Sequence, residues 1–201
     1  MNEHYYDELF AINTMGHKSE VNNSVYYHPY EPTPYSALEE LCKHYEVVAS
    51  DHIVDFGCGK GRLNFFLNYK FHASCVGVEM NPDFFDEALQ NEALYRKKIK
   101  KLKGDITFHN CLAEKYAIQP CENKFYYFNP FSVQVFIKVV HNILRSFEET
   151  KRNIDLILYY PSDDYRYFLD IQTSFELLKE VPLPGLVEKN INERFLIYRI
   201  G

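Results

Sequence analysis

The chain has 201 residues, 46% of them hydrophobic and 25% charged, and a net charge of −6. That balance suits one globular unit with a real core, and it lacks the global basic field of a dedicated duplex-DNA binder. No apolar run approaches the roughly twenty residues of a membrane span, and the opening MNEHYYDELF is acidic where a secretory leader is basic and then apolar. Five cysteines, at 42, 58, 75, 111 and 121, form an odd set without a C-x-x-C pair, so a reducing, cytoplasmic setting is expected. The histidines form no metal-ligand pattern, no Cys/His cluster is present, and no G-x-S-x-G nucleophile turn occurs, so no metal is expected.

In chain order, Tyr26 to Tyr35 reads YYHPYEPTPY, whose prolines make a stiff extended segment. Ser36 to Val47 then reads as an amphipathic helix with Leu38, Leu41 and Tyr45 on one face. Residues 1–49 are taken as an N-terminal extension and 50–201 as the main domain. Strands and helices alternate from there. The first strand, 52–57, is followed by a helix whose apolar face is Leu63, Phe66 and Leu67. The second strand, 74–80, precedes Asn81-Pro82-Asp83, which has the chemistry of a helix start. That helix is expected to reach Leu102, with Gly104 just past its end. Strands follow at 105–111 and 124–129, then a helix over 133–149 with Phe136, Val139, Val140, Ile143, Leu144 and Phe147 on one face. A strand at 153–160, a helix near 163–171 and strand patterns at 173–181 and 193–200 complete the chain. The alternation predicts an α/β fold with a doubly wound, mostly parallel sheet, helices on both faces and a C-terminal antiparallel hairpin.

The stretch HIVDFGCGKGR, from His52 to Arg62, carries the sharpest chemistry. A buried strand runs into Gly57, Gly59 and Gly61, which admit positive φ and leave no Cβ between the backbone and a ligand. Cys58 sits inside the turn, where backbone packing explains it better than nucleophilic catalysis. About twenty residues on, SCVGVEM ends in Glu79 and Met80, where an acid takes both hydroxyls of a ribose. The spacing is G-x-G-x-G after Asp55, not the G-x-G-x-x-G of dinucleotide folds. An acid there opposes a pyrophosphate but suits a cationic ligand, so NAD is the weaker reading.

DFGCGKG closely resembles the first motif of the class I S-adenosylmethionine (SAM)-dependent methyltransferases, and the strand count with its final hairpin resembles their seven-stranded Rossmann-like sheet. The resemblance covers residues from about 50 to 201. It implies SAM as cofactor, with Gly57, Cys58, Gly59 and Gly61 under the methionine part, Asp55 beside it and Glu79 on the ribose. The acid usual for adenine aligns with Leu112, so Asn110 or the amides of Leu112 and Ala113 take that contact. Asn129-Pro130-Phe131 resembles the [DNS]-P-P-[FYW] motif of enzymes acting on amino nitrogen, with one proline instead of two. The resemblance gives Asn129 and Pro130 the acceptor amine and Phe131 a stacking role. It also makes the N-terminal extension a cover of the cofactor cleft, with Tyr30, Thr33 and Tyr35 as substrate contacts. The expected function is methyl transfer to a nitrogen on a protein side chain or small amine. One alternative is an RNA-base methyltransferase, with phosphates held by Arg96, Lys97, Lys98, Lys100, Lys101 and Lys103; another is a non-catalytic SAM-binding regulator.

Overall fold

The computed structural model describes residues 3–16 and 30–201, so Tyr26 to Pro29 of the expected extended segment lie outside the described residues. In chain order the elements are α1 (Tyr5–Phe10), α2 (Tyr35–His44), β1 (His52–Phe56), α3 (Arg62–Phe71), β2 (Ser74–Glu79), α4 (Pro82–Lys98) and β3 (Ile106–Asn110). They continue as β4 (Lys124–Tyr127), α5 (Val133–Glu149), β5 (Ile154–Tyr159), α6 (Asp163–Gln172), β6 (Glu176–Pro182) and β7 (Arg194–Ile200).

The strands form one seven-stranded sheet in the order β3-β2-β1-β4-β5-β7-β6. The first five pair in parallel, and β7 runs antiparallel to both β5 and β6, as the alternating pattern predicts. Strand order reverses between β1 and β4, and a crevice opens at the carboxyl ends of such a pair. Because strand side chains alternate between faces, each central strand feeds two cores. Ile53, Tyr126, Ile157, Phe195 and Ile197 face a cluster built with α1, α2, α3 and Tyr95 of α4. Val54, Phe56, Phe125, Tyr127, Leu156, Leu158 and Tyr198 face the cluster built with α5 and α6. There Phe136 of α5 stacks on Tyr165 of α6 at 3.8 Å between ring centroids.

Three local expectations are corrected. Helix α4 ends at Lys98, four residues early, because Ile99 turns extended and both Ile99 and Leu102 pack onto the first core cluster. Gly104 is therefore not the residue that ends α4; a Cβ there would meet the Ala73 carbonyl oxygen at 2.3 Å. Strand β6 starts at Glu176 rather than 173, because Thr173 caps α6 by donating its hydroxyl to the Leu169 carbonyl at 2.8 Å. A register shift between Leu177 and Lys179 then bends β6 against β7.

Helix α1 was not anticipated. It is held by Asp7, whose carboxylate accepts the Thr14 amide (2.7 Å), the Thr14 hydroxyl (2.8 Å) and the Tyr35 hydroxyl (2.5 Å). Residues 5–16 and α2 thus share one core with the sheet, through Phe10, Ile12, Tyr35, Leu38 and Leu41.

At the amino ends of β4 and β5 and the carboxyl end of the antiparallel β7, a second buried network ties these strands to the end of α2. Arg199 donates to both oxygens of Asp155 (2.6 and 2.8 Å), Tyr45 donates its hydroxyl to the same carboxylate, and Lys124 Nζ lies 3.3 Å away. Burial alone would raise the Asp155 pKa, but the bonds from Arg199 and Tyr45 and the Lys124 charge hold it below the ordinary value. Removing the carboxylate leaves Lys124 buried and short of a partner, so Asp155→Ala should cost about 3–5 kcal/mol in urea unfolding at pH 7. A depressed carboxylate contributes stability above the unfolded pKa, roughly 3.9, and loses it as pH falls through the folded value. The gap between wild type and variant should therefore shrink in the same measurement below about pH 4.

Candidate active site

The crevice at the β1–β4 divide is floored by the glycine turn. Gly57, Gly59 and Gly61 have φ of +78°, +53° and +86°, the left-handed region that disfavours other residues. Close contact reinforces this: a Cβ on Gly57 would meet Pro130 Cβ at 2.7 Å, and one on Gly61 would meet Phe108 Cζ at 2.7 Å. The contact of Gly57 with Pro130 therefore brings the ends of β1 and β4 together, and Asp55 and Gly57 line the same opening.

Glu79 ends β2 with both carboxylate oxygens committed to main-chain amides: Gly59 N–H at 2.9 Å and Asn81 N–H at 2.8 Å. Burial raises its pKa, opposed by these amide bonds. Asp55 is buried, and its pKa is pushed well above the ordinary value by burial and then by the Glu79 charge. Among the described residues it has no ion pair or hydrogen bond, and it lines a cavity of about 30 Å³ with Tyr30, Glu31, Thr33, Gly57, Cys58, Tyr126 and Phe128. Arg62 borders the same cavity, but its donors are committed to Glu3, Thr14 and Thr33, so two neighbouring carboxyls paired with no cation among the described residues favour a positively charged guest. Cys58 is buried with its thiol pKa raised by burial, which suits packing and not nucleophilic attack.

Asn110 donates its amide to the carbonyls of Glu79 (2.9 Å) and Met80 (3.2 Å), so it braces the end of β2, and Leu112 is exposed beyond it. On β4's side, Asn129 adopts φ +41° and Tyr160, after β5, φ +50°. Two non-glycine residues held in that region at the ends of neighbouring strands mark a constrained, site-like rim. Phe131 is 1% exposed within the α5/α6 core, edge-on to Tyr127, so it is not a stacking platform at the opening. The aromatic side chains that do face it are Tyr30, Tyr126 and Phe128.

The N-terminal candidates divide. Tyr35 is fully buried, its hydroxyl on Asp7, and cannot touch a substrate. Thr33 is buried against the Tyr126 hydroxyl at 2.7 Å. Tyr30 lies on the glycine turn itself, donating its hydroxyl to the Thr14 carbonyl at 2.7 Å. Arg62, which is 4% exposed, holds Thr33 and Tyr35 directly and Tyr30 by way of Thr14. Its guanidinium donates to Thr14 Oγ1 (2.7 Å), Glu3 (3.0 Å) and the Thr33 carbonyl (3.2 Å), and lies over the Tyr35 ring. One sequence signal pointed to Arg62: a cation at the first position of a helix opposes the macrodipole, so it needs partners outside the helix.

The basic run is not part of this assembly. Helix α4 starts beside Glu79 and spans 17 residues, so at 1.5 Å per residue its Arg96–Lys98 end lies roughly 25 Å away along its axis. Arg96 there pairs with Glu92 and the Ile106 carbonyl. Among the described residues no group of three or more His, Cys, Asp or Glu side chains could hold a metal, and no helix is long and apolar enough to cross a membrane.

Comparison with known proteins agrees with this geometry. Residues 34–124 match a family model described as a methyltransferase domain. A protein-lysine N-methyltransferase of Saccharolobus islandicus (strain REY15A) is 36% identical over 64 residues, a stretch that spans 31% of this chain and only 40% of that relative. An RNA methyltransferase from Salinibacter ruber, solved with S-adenosyl-L-homocysteine, superposes with a TM-score of 0.51 at 20% identity, over 85% of this chain and 91% of that one. Phosphoethanolamine N-methyltransferase 1 of Haemonchus contortus, solved with phosphoethanolamine and S-adenosylhomocysteine, superposes with a TM-score of 0.60 at 12% identity, over 82% of this chain and 42% of that one. The strand order and glycine turn give the chain the Rossmann-like fold of these methyltransferases, and residues 34–124 match the methyltransferase-domain model.

Proposed function

We propose that this chain transfers a methyl group from SAM to an amine nitrogen, of a protein lysine or a small amine. The observation that carries the reading is the Glu79 carboxylate fixed against Gly59 N–H, two positions along β2 from the partner of the buried Asp55, whose carboxyl is unpaired. These residues fit SAM: Glu79 takes a ribose diol, the bare glycines admit close approach, and Asp55 opposes the positive charge of a sulfonium or ammonium. Bound SAM supplies an electrophilic methyl carbon. Asn129 and Pro130 are the groups proposed to orient the acceptor's lone pair, since in-line displacement depends on positioning.

An amine is favoured by the wall around the opening. Tyr159 donates its hydroxyl to Glu193 at 2.8 Å, Phe128 packs on Tyr159 at 4.6 Å, and Glu31 lies near enough to raise the Tyr159 pKa. Aromatic faces beside carboxylates attract a cationic side chain before it loses its proton. The lysine-modifying relative supports the same choice. The RNA alternative needs the cations of 96–103, and these stand at the far end of α4. Coverage of the cleft by residues 1–49 and a reducing, cytoplasmic setting belong to this reading, the latter supported by five free thiols.

Calorimetric titration with SAM tests the cofactor half. Glu79→Gln should weaken binding about 10–100-fold, as loss of a charge-assisted bond does, and Gly59→Arg should abolish it; unchanged affinity in both would remove the reading. The free-state pKa values of Asp55 and Glu79 are raised, and a bound cation favours their ionised forms. Affinity should therefore be full above the raised values, fall as pH drops through them, and be less pH-dependent in Asp55→Asn. For the acceptor, incubation of cell lysate with methyl-labelled SAM should place label on protein lysine or a small amine, and Glu193→Gln should raise the acceptor KM several-fold; label recovered only in RNA would replace this acceptor.

A further inference from the structure

Tyr30 occupies the middle of the crevice. Its ring lies so close on Gly59 that a Cβ built there would be 2.0 Å from Tyr30 Cε2 and 2.4 Å from Cδ2. The same ring packs at 4.8 Å on Phe84, in the first turn of α4, and its hydroxyl is tied to the Thr14 carbonyl. Gly59 is the residue whose N–H meets Glu79, while Asp55 and Gly57 lie on the other side of it. A ligand with its ribose at Glu79 and its cationic end at Asp55 must cross Gly59, which is where the ring sits. What remains beside the ring is about 30 Å³, room for a water molecule, where ligand pockets measure several hundred.

We infer that Tyr30 is a built-in occupant of the cofactor seat, which SAM must displace in order to bind. The inference rests on the cofactor reading above and adds a regulatory element to it. The ring is held in place by chain segments on both sides: Thr14 and Thr33 are both bound to Arg62, so the clamp that orders the N-terminal residues also seats the plug. Apparent affinity for SAM is then the intrinsic affinity multiplied by the fraction of molecules with the ring withdrawn. Loosening the ring therefore raises affinity, whereas a ring that served as a cofactor contact would lower it when removed.

Three proteins decide between these. Calorimetry with SAM should show Tyr30→Ala binding about tenfold more tightly than wild type, with Tyr30→Phe, which lacks only the bond to Thr14, in between. Weaker binding by Tyr30→Ala, in protein whose thermal unfolding is unchanged, would make the ring a cofactor contact and overturn the inference while leaving the cofactor reading intact. Because the chain contains no tryptophan, Tyr30→Trp supplies a single reporter that does not depend on the alanine variant folding. Its emission should shift to the red as saturating SAM drives the indole out of the crevice, and unchanged emission with SAM bound would also overturn the inference. If neither wild type nor any variant binds SAM, the cofactor reading falls, and this one with it.

Discussion

The structure around the crevice depends on one buried guanidinium. Arg62 is charged, almost without solvent contact, and joins three stretches of chain that are distant in sequence: Glu3 and Thr14 before the sheet, Thr33 ahead of α2, and the start of α3 behind the glycine turn. A buried cation is tolerable only when its donors are satisfied, so these segments cannot separate without stranding charge. Asp7 extends the constraint, since it binds the same Thr14 and the Tyr35 whose ring Arg62 overlies. Lys60, one residue before Gly61 and also buried, repeats it on the other side by pairing with Glu87 at 2.7 Å and bonding the Met15 carbonyl. The two basic residues of the glycine turn are thus committed to the N-terminal segment and α4, and although Arg62 borders the crevice it forms no ion pair with Asp55 there.

Much of this was legible in the residues. The alternation of strands and helices, the seven-stranded order with its antiparallel end, and the positive-φ glycines all follow from short-range chemistry that a sequence displays: periodicity, capping residues and glycine spacing. Helix α5 was read to the residue because seventeen positions with one continuous apolar face leave little choice. The errors have a common cause in tertiary contact. The end of α4 is decided by where Ile99 and Leu102 find the core, and local propensity carries no record of that. Helix α1 has only six residues and depends on Asp7, whose partners lie seven and twenty-eight positions away.

The residues proposed for the cofactor come from neighbouring strands and those proposed for the acceptor from scattered segments, which is why the sequence displays the first set more readily. Asp55, the glycines and Glu79 sit on two adjacent strands, where spacing along the chain translates directly into position. The acceptor rim proposed above draws on Glu31, Phe128, Tyr159 and Glu193, four separate segments whose convergence only the fold creates. Phe131 was assigned the aromatic role by its place in a motif, yet it lies past the end of β4 and packs beside Tyr127 in the α5 core, which leaves Phe128 at the opening.

The irregularity in β6 has a bearing on assembly. This strand is the outermost of the sheet and shows Leu177 and Leu178 to solvent, a composition that invites a neighbouring chain to add a strand. The shift between Leu177 and Lys179 breaks the even ladder at that point, and Pro182 removes a donor at the strand's end. A second molecule laid along this edge would find its amides out of step with the carbonyls offered. With Glu176, Lys179 and Glu180 also placed along it, this edge is a poor template for an added strand.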